Sequence, residues 1–349
     1  MRRAVLAAAL CGPAAEALTL AAGDIVAVAG GNVLRVDPVT GASEPIASVP
    51  FARDVVVDAQ HRIFVLSTPF GADIVEVDPD GGATRPIASF AGLVDAKLDV
   101  DSAGRLLVAT SSALLSIDPD TGMQTSVPLP RSEFWNWLGF VAALPDGRAL
   151  AVRHRDERSS IQPLFRDFFV VDLLSGDASL LHSYSYFDDE FGRSDSLVLS
   201  DVEADPASGA VYESIFWIDG YSGEGRGTLR EIADPLFEAG DGILPMAVDL
   251  DGDVVFGCRR PPPHPPACPA PVGLVRWDPD ARTTTNLPGQ LVIEELAVVP
   301  VPEPASALLL AIGLGLLRAI RAAPTAFVTA LRAWLVRRAA RSPAARDAP

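Results

Sequence analysis

Cysteine and histidine are scarce in this sequence, with three and four copies among 349 residues. So few thiols and imidazoles speak against a Cys/His zinc framework, which needs clustered ligands at short spacing. No G-x-S-x-G stretch, phosphate-cradling glycine loop or histidine-rich metal spacing occurs in the chain. The usual short signatures of serine hydrolases, nucleotide-binding enzymes and metalloproteases are therefore missing. Positive charge is also short, since 28 Lys and Arg stand against 45 Asp and Glu, a formal net charge of −17. Arg2 and Arg3 at one end and the arginines from Arg318 to Arg346 at the other hold much of what there is, so the body between them is more acidic still. Such a body repels nucleic acid, whereas solubility or bound Ca²⁺ suits it.

Apolar residues are plentiful, at 49% of the chain, and they come in short runs. The length supports one large domain or two ordinary ones with a substantial core. VVVDAQHRIFVLS (55–67), LDVDSAGRLLVAT (98–110), ALPDGRALAVR (143–153), EADPASGAVYESI (203–215) and AVDLDGDVVFGC (247–258) each join two apolar runs through an Asp/Gly-rich turn. That is a hairpin signature. A further run ending in a second turn recurs as VLRVDPVTG (33–41), IVEVDPDGG (74–82), LLSIDPDTG (114–122), FVVDLLSG (169–176) and LVRWDPDA (274–281). Four short antiparallel strands in a period of about 40 residues describe a β-propeller blade, which buries its faces only against neighbouring blades. The hairpins provide five full blades. Residues 24–49 lack an inner strand and LVIEELAVVP (291–300) lacks outer ones, so pairing them completes a sixth and removes the exposed sheet edges. The expectation is an all-β chain, a six-bladed propeller over residues 23–300, with five or seven blades or a two-domain sandwich as alternatives.

The first 17 residues have the parts of a secretory signal: Arg2 and Arg3, an apolar stretch from Ala4 to Leu10, and small residues around Ala15-Glu16-Ala17. Export would leave Cys258 and Cys268, which flank RRPPPHPPA, a proline-rich stretch that cannot build sheet. A disulfide stapling that loop is expected in an oxidising compartment. A metal site using His264 is the alternative, at odds with the tighter four-ligand spacing zinc prefers.

The repeated turn and its D-P-x-T-G pattern resemble the broad class of bacterial propellers that includes NHL, lactonase-like and streptogramin-lyase-like repeat proteins. That class holds enzymes, binding modules and surface proteins, so it implies a fold and leaves function open. After the last inner strand comes VPEPASALLLAIGLGLLRAIRA (301–322), which resembles the PEP-CTERM sorting signal of exported bacterial proteins. Its parts appear in order: Pro302-Glu303-Pro304, the uncharged stretch 305–317, then Arg318 and Arg321. The resemblance implies a sorting segment over 301–321, recognition of Pro302, Glu303 and Pro304 by an exosortase-type membrane protease, and exopolysaccharide-producing surroundings. As a helix the uncharged stretch measures roughly 20 Å, short of the ~30 Å hydrocarbon core unless the span extends over 305–320. The arginines would then hold the C-terminus inside and the propeller outside. Family members usually stop soon after the arginines, whereas residues 322–349 continue here as a basic amphipathic or unstructured tail.

Aligning the repeats brings Arg53 with Asp54, Asp95 with Lys97, Phe140, Ser200 with Asp201, Leu244 with Pro245, and Glu294 with Glu295 to the mouth of the central tunnel. Asp54, Asp95, Asp201, Glu294 and Glu295 are candidate ligands for a tunnel cation such as Ca²⁺, as in a metal-dependent lactonase. Arg53 and Lys97 among them favour salt-bridged packing with no cofactor. Asp99 to Gly104 and Asp249 to Asp253 resemble fragments of calcium loops but lie at hairpin turns, where Asp-Gly is expected anyway. The aromatic clusters FWNW (134–137), SYSYF (183–187) and IFWIDGY (215–221) suit either sugar platforms or blade core. The functional expectation is an exported, membrane-anchored, non-catalytic surface or matrix propeller that binds polysaccharide or surface proteins. A metal-dependent hydrolase or lactonase is the alternative.

Overall fold

The structure, a computed structural model, describes residues 20–68, 71–91, 96–110, 112–130, 135–156, 164–185, 196–218, 225–231, 243–258, 273–281, 283–288, 293 and 295–300. All belong to one compact unit, Met1–Val301. The expected signal segment, the partner thiol Cys268 and everything after Pro300 lie outside the described residues.

Turn chemistry cuts this unit into antiparallel strands. The chain opens with β1 (Ile25–Ala29), β2 (Asn32–Val36) and β3 (Ser43–Ser48). The next two sheets are β4 (Ala52–Val57), β5 (Ile63–Ser67), β6 (Gly71–Val77) and β7 (Thr84–Ala91), then β8 (Leu98–Val100), β9 (Leu106–Ala109), β10 (Ala113–Ile117) and β11 (Gln124–Pro128). Longer strands follow in β12 (Trp135–Ala143), β13 (Arg148–Asp156), β14 (Leu164–Asp172) and β15 (Ala178–Ser185), and in β16 (Ser196–Ala204), β17 (Val211–Ile218) and β18 (Gly225–Glu231). The last are β19 (Ile243–Val248), β20 (Val254–Cys258), β21 (Gly273–Asp278) and β22 (Thr283–Asn286), ending with β23 (Glu295–Val298).

These strands form a β-propeller of five four-stranded blades and one sheet with three described strands, β16 to β18. Closure comes from the ends of the unit. β23 pairs with β1, Ile25 opposite Val298 and Val28 opposite Glu295, so the first blade takes its inner strand from the far end of the chain. Backbone bonds from Gly23 N–H to Val299 O (2.9 Å) and from Val299 N–H to Asp24 O (2.8 Å) extend the joint.

The core lies between blades. Because side chains alternate across a strand, Ile63 and Val65 of β5 pack toward the first blade while Phe64 and Leu66 pack toward the third. In β9 the same alternation sends Leu106 and Val108 one way and Leu107 and Ala109 the other. Strands buried on both faces read as continuous apolar runs, as IFVL and LLVA do here. Six such clusters join consecutive sheets, the last tying Val255 and Leu274 to Ile25 and Ala27. Burial fades outward, and β22 is exposed along its whole length.

Turns repeat one device. Asp37 Oδ1 accepts from the N–H groups of Val39 (2.7 Å) and Thr40 (3.0 Å), and Gly41 follows at φ 68° with its N–H on the Asp37 carbonyl. Asp118 with Gly122 and Asp172 with Gly176 repeat it. This explains the D-P-x-T-G pattern: an Asx-turn stabilises the bend, and glycine supplies the left-handed residue. These turns occupy one side of the ring.

Candidate functional site

Each first hairpin turn is closed by a bond to its first residue's N–H, at Asp58, Asp101, Leu144, Asp205 and Asp249, and Val299 takes the same place against Asp24. Counting back four residues gives Asp54, Lys97, Phe140, Asp201, Pro245 and Glu295, one per inner strand. Strand registers shift between Ala52 and Asp54 and between Leu199 and Asp201. Bulges of this kind re-aim the residue that follows them.

The side chains converge on Lys97. Its Nζ lies 2.6 Å from Glu295 Oε1 and 3.9 Å from both Asp54 Oδ1 and Asp201 Oδ1. Of the 28 Lys and Arg residues in the chain, Lys97 is the single lysine. A compact ammonium fits among three carboxylates where a planar guanidinium would not. Burial alone would strip its proton, but Asp201, Asp54 and Glu295 outweigh that and hold it charged.

Two residues further along β8 and β16 come Asp99 and Glu203, on the same strand faces as Lys97 and Asp201 by the period of two. Both keep part of their surface open. Asp99 was legible in the sequence only as part of a turn, and Glu203 carried no signal at all. The i, i+2 spacing from Lys97 and Asp201 would have found them.

Three of these carboxylates also reach the next blade. Asp54 Oδ2 accepts from Leu98 N–H at 2.6 Å, Asp99 Oδ2 from Ala143 N–H at 2.5 Å, and Asp201 Oδ2 from Met246 N–H at 3.0 Å. Their other oxygens take the N–H of Val55, Val100 and Val202. Burial raises Asp54 to about 6, an effect opposed by Lys97 and reinforced by Asp201. Burial raises Asp99 to about 7 against the pull of the Ala143 and Val100 N–H groups. Asp201 is raised by burial too, and Glu203 well above the carboxylate range, with Asp99 adding to it. Glu295 is likewise pushed well up by burial despite its contact with Lys97.

Of the residues expected at the tunnel, Asp54, Asp201 and Glu295 therefore meet, and Lys97 fills the space between them. Arg53 is exposed. Asp95 and Glu294 lie outside the described residues, as do the side chains of Trp135, Trp137 and Cys258. Among the described residues, no three His, Cys, Asp or Glu side chains approach closely enough to hold a metal ion. Of the expected ligands, the three described ones, Asp54, Asp201 and Glu295, hold the Lys97 ammonium and do not fit a metal ion in the same place. Asp101 and Asp249, from the calcium-loop fragments, accept backbone N–H groups of their own turns instead.

Two other features are structural. Arg166 on β14 and Glu213 on β17, both fully buried, form an ion pair across two blades. A surface cavity of about 320 Å³ is lined by Arg62, Glu76, Asp78 and Arg85, but Arg62 is already paired with Asp58 and Asp120, and Arg85 with Glu76.

No protein-family model matches the chain, and no curated protein does. Solved structures do match. A protein of unknown function from Bacteroides thetaiotaomicron aligns at 12% identity over 77% of this chain and 64% of its own, with a TM-score of 0.43. A candidate 6-phosphogluconolactonase from Bacteroides uniformis aligns at 11% identity over 80% of this chain and 97% of its own, with a TM-score of 0.41. A prolyl endopeptidase aligns at 14% identity and a TM-score of 0.38, where the chain spans 35% of that protein's length. At such identities the likeness concerns the fold alone, and the propeller rests on the strand pairing above. Among the described residues no helix is long and apolar enough to cross a membrane; the expected span at 305–320 is not among them.

Proposed function

We propose that this protein is an exported, membrane-tethered β-propeller that binds polysaccharide or other surface proteins at the cell surface or in its matrix, without catalysing a reaction. The observation that carries the non-catalytic part is Lys97, whose ammonium is paired with Glu295 and held between Asp54 and Asp201. A hydrolase using these carboxylates would need them free to hold a cation or move a proton. A lysine kept protonated by its neighbours is neither a nucleophile nor a base. Export and tethering rest on the sequence: the basic and apolar N-terminus, and the Pro302-Glu303-Pro304 segment with its apolar stretch and Arg318 and Arg321.

Two experiments test the reading. Purified protein incubated with a panel of lactones, with and without Ca²⁺, should show no metal-dependent hydrolysis; a rate that Ca²⁺ restores and Asp201→Asn abolishes would replace it with the lactonase alternative. Cell fractionation should find Glu303→Ala as a larger, uncut band in the membrane, and a chain lacking 301–349 as a soluble exported species. Recovery of full-length protein from the cytoplasm would remove the tether and the export together.

A further inference from the structure

The axis carries more negative charge than its one ammonium can match. Asp54 from β4, Asp201 from β16 and Glu295 from β23 surround Lys97 from the residue before β8, and Asp99 of β8 and Glu203 of β16 add two more carboxylates close enough to act on this group. The described side chains of β12 and β19 add no charge, the former bringing Phe140 and Ala142 and the latter Met246 and Ala247. Lys97 touches Asp54, Asp201 and Glu295. No ion pair joins Asp99 or Glu203 to a cation among the described residues, and the two carboxylates repel each other.

Three of these acids are also the joints between blades. The bond from Leu98 N–H to Asp54 ties β8 to β4, that from Ala143 N–H to Asp99 ties β12 to β8, and that from Met246 N–H to Asp201 ties β19 to β16. A neutral carboxyl group keeps a carbonyl oxygen to accept such an N–H, and gains an O–H that can donate to a neighbouring carboxylate. Protonation thus leaves one oxygen to accept the interblade N–H, weakens the bond to the acid's own neighbour, and removes the repulsion among the crowded carboxylates.

We propose that the axis is a proton-linked latch: it takes up protons on mild acidification, and the inner strands are held together more firmly in the protonated form. The sign follows from the directions above. An acid raised in the folded state contributes stability that is complete below the unfolded carboxylate range and lost as pH rises through its folded value, which is about 6 for Asp54 and about 7 for Asp99. The propeller therefore firms as pH falls through this window. The turn acids Asp37, Asp118 and Asp172, lowered by backbone N–H groups, act in the opposite sense and only at lower pH.

Thermal unfolding of the full chain between about pH 8 and about pH 5 tests this, with Asp99→Asn and Glu203→Gln beside the wild type and a parallel series in millimolar Ca²⁺. The wild-type Tm should rise on acidification. Each variant should start higher at the alkaline end and rise less, the slope falling by about one proton. Amide exchange of Ala143, corrected for its intrinsic pH dependence, should slow in step. A flat or falling wild-type Tm would overturn the latch, and so would a wild-type slope in Glu203→Gln, which touches no joint. If Ca²⁺ at alkaline pH raises the wild-type Tm as much as acid does, and the variants lose that response, the axis is a cation site and the latch is wrong.

Discussion

One lysine among 28 basic residues sits where three inner strands bring carboxylates together. Its removal should be felt at once. Lys97→Met leaves Asp54, Asp201 and Glu295 without a counter-charge and should cost about 3 kcal/mol near pH 8 by chemical denaturation, as breaking a buried pair does. The loss should shrink on acidification, when those carboxyl groups become neutral. A cost independent of pH would mean that lost packing dominates. The Arg166–Glu213 pair offers a second test at this scale. Arg166→Met alone should cost about 3–5 kcal/mol, while pairing it with Glu213→Leu should recover most of that, because the uncompensated charge is what is expensive.

At the scale of strands and turns, two glycines mark where neighbouring blades approach too closely for a side chain. A Cβ on Gly139 would lie 2.1 Å from the Ala109 carbonyl oxygen, beside the bridge that joins Ala96 to Gly139. On Gly82, already at φ 64°, it would meet the Ile46 carbonyl oxygen at 2.4 Å. Gly139→Ala and Gly82→Ala should each destabilise by about 1–3 kcal/mol, since backbone must move. Gly176→Ala, at φ 77° with open space around it, isolates the dihedral cost and should lose less, about 1 kcal/mol. Urea midpoints for the three rank them directly. Equal losses at Gly82 and Gly176 would show that close approach at Gly82 contributes nothing beyond strain.

For the molecule as a whole, ring closure is the decisive contact. Removing β23 takes the inner strand from the first blade, exposes an edge on β1 and opens the last interblade cluster, which contains Ile293 and Leu296. A chain ending at residue 290 should lose its cooperative transition or aggregate. A chain ending at residue 300 keeps every described strand and the contact of His61 Nε2 with the Pro300 carbonyl oxygen (3.2 Å), and should melt within a few degrees of the full-length protein. Differential scanning calorimetry of the two truncations separates the cases; a large loss in the longer one would mean that residues 301–349 belong to the propeller core.

Hairpin positions, the Asp and Gly of the turns, and the pairing of the last strand with the first were all legible from residues alone, because they depend on local backbone preferences and on a period that the chain repeats. Register along the repeats also assigned Asp54, Lys97, Asp201 and Glu295 corresponding places on the inner strands. What the charges do there belonged to the tertiary structure. Asp54 and Leu98, Asp99 and Ala143, or Asp201 and Met246 are far apart along the chain and meet only when blades pack around an axis. Asp99 looked like a turn residue and Glu203 like an ordinary strand position, since neither burial nor the sign of a neighbour's charge is written locally. Arg166 and Glu213 gave no sign of each other for the same reason: their pairing is fixed by which faces of β14 and β17 the ring presses together.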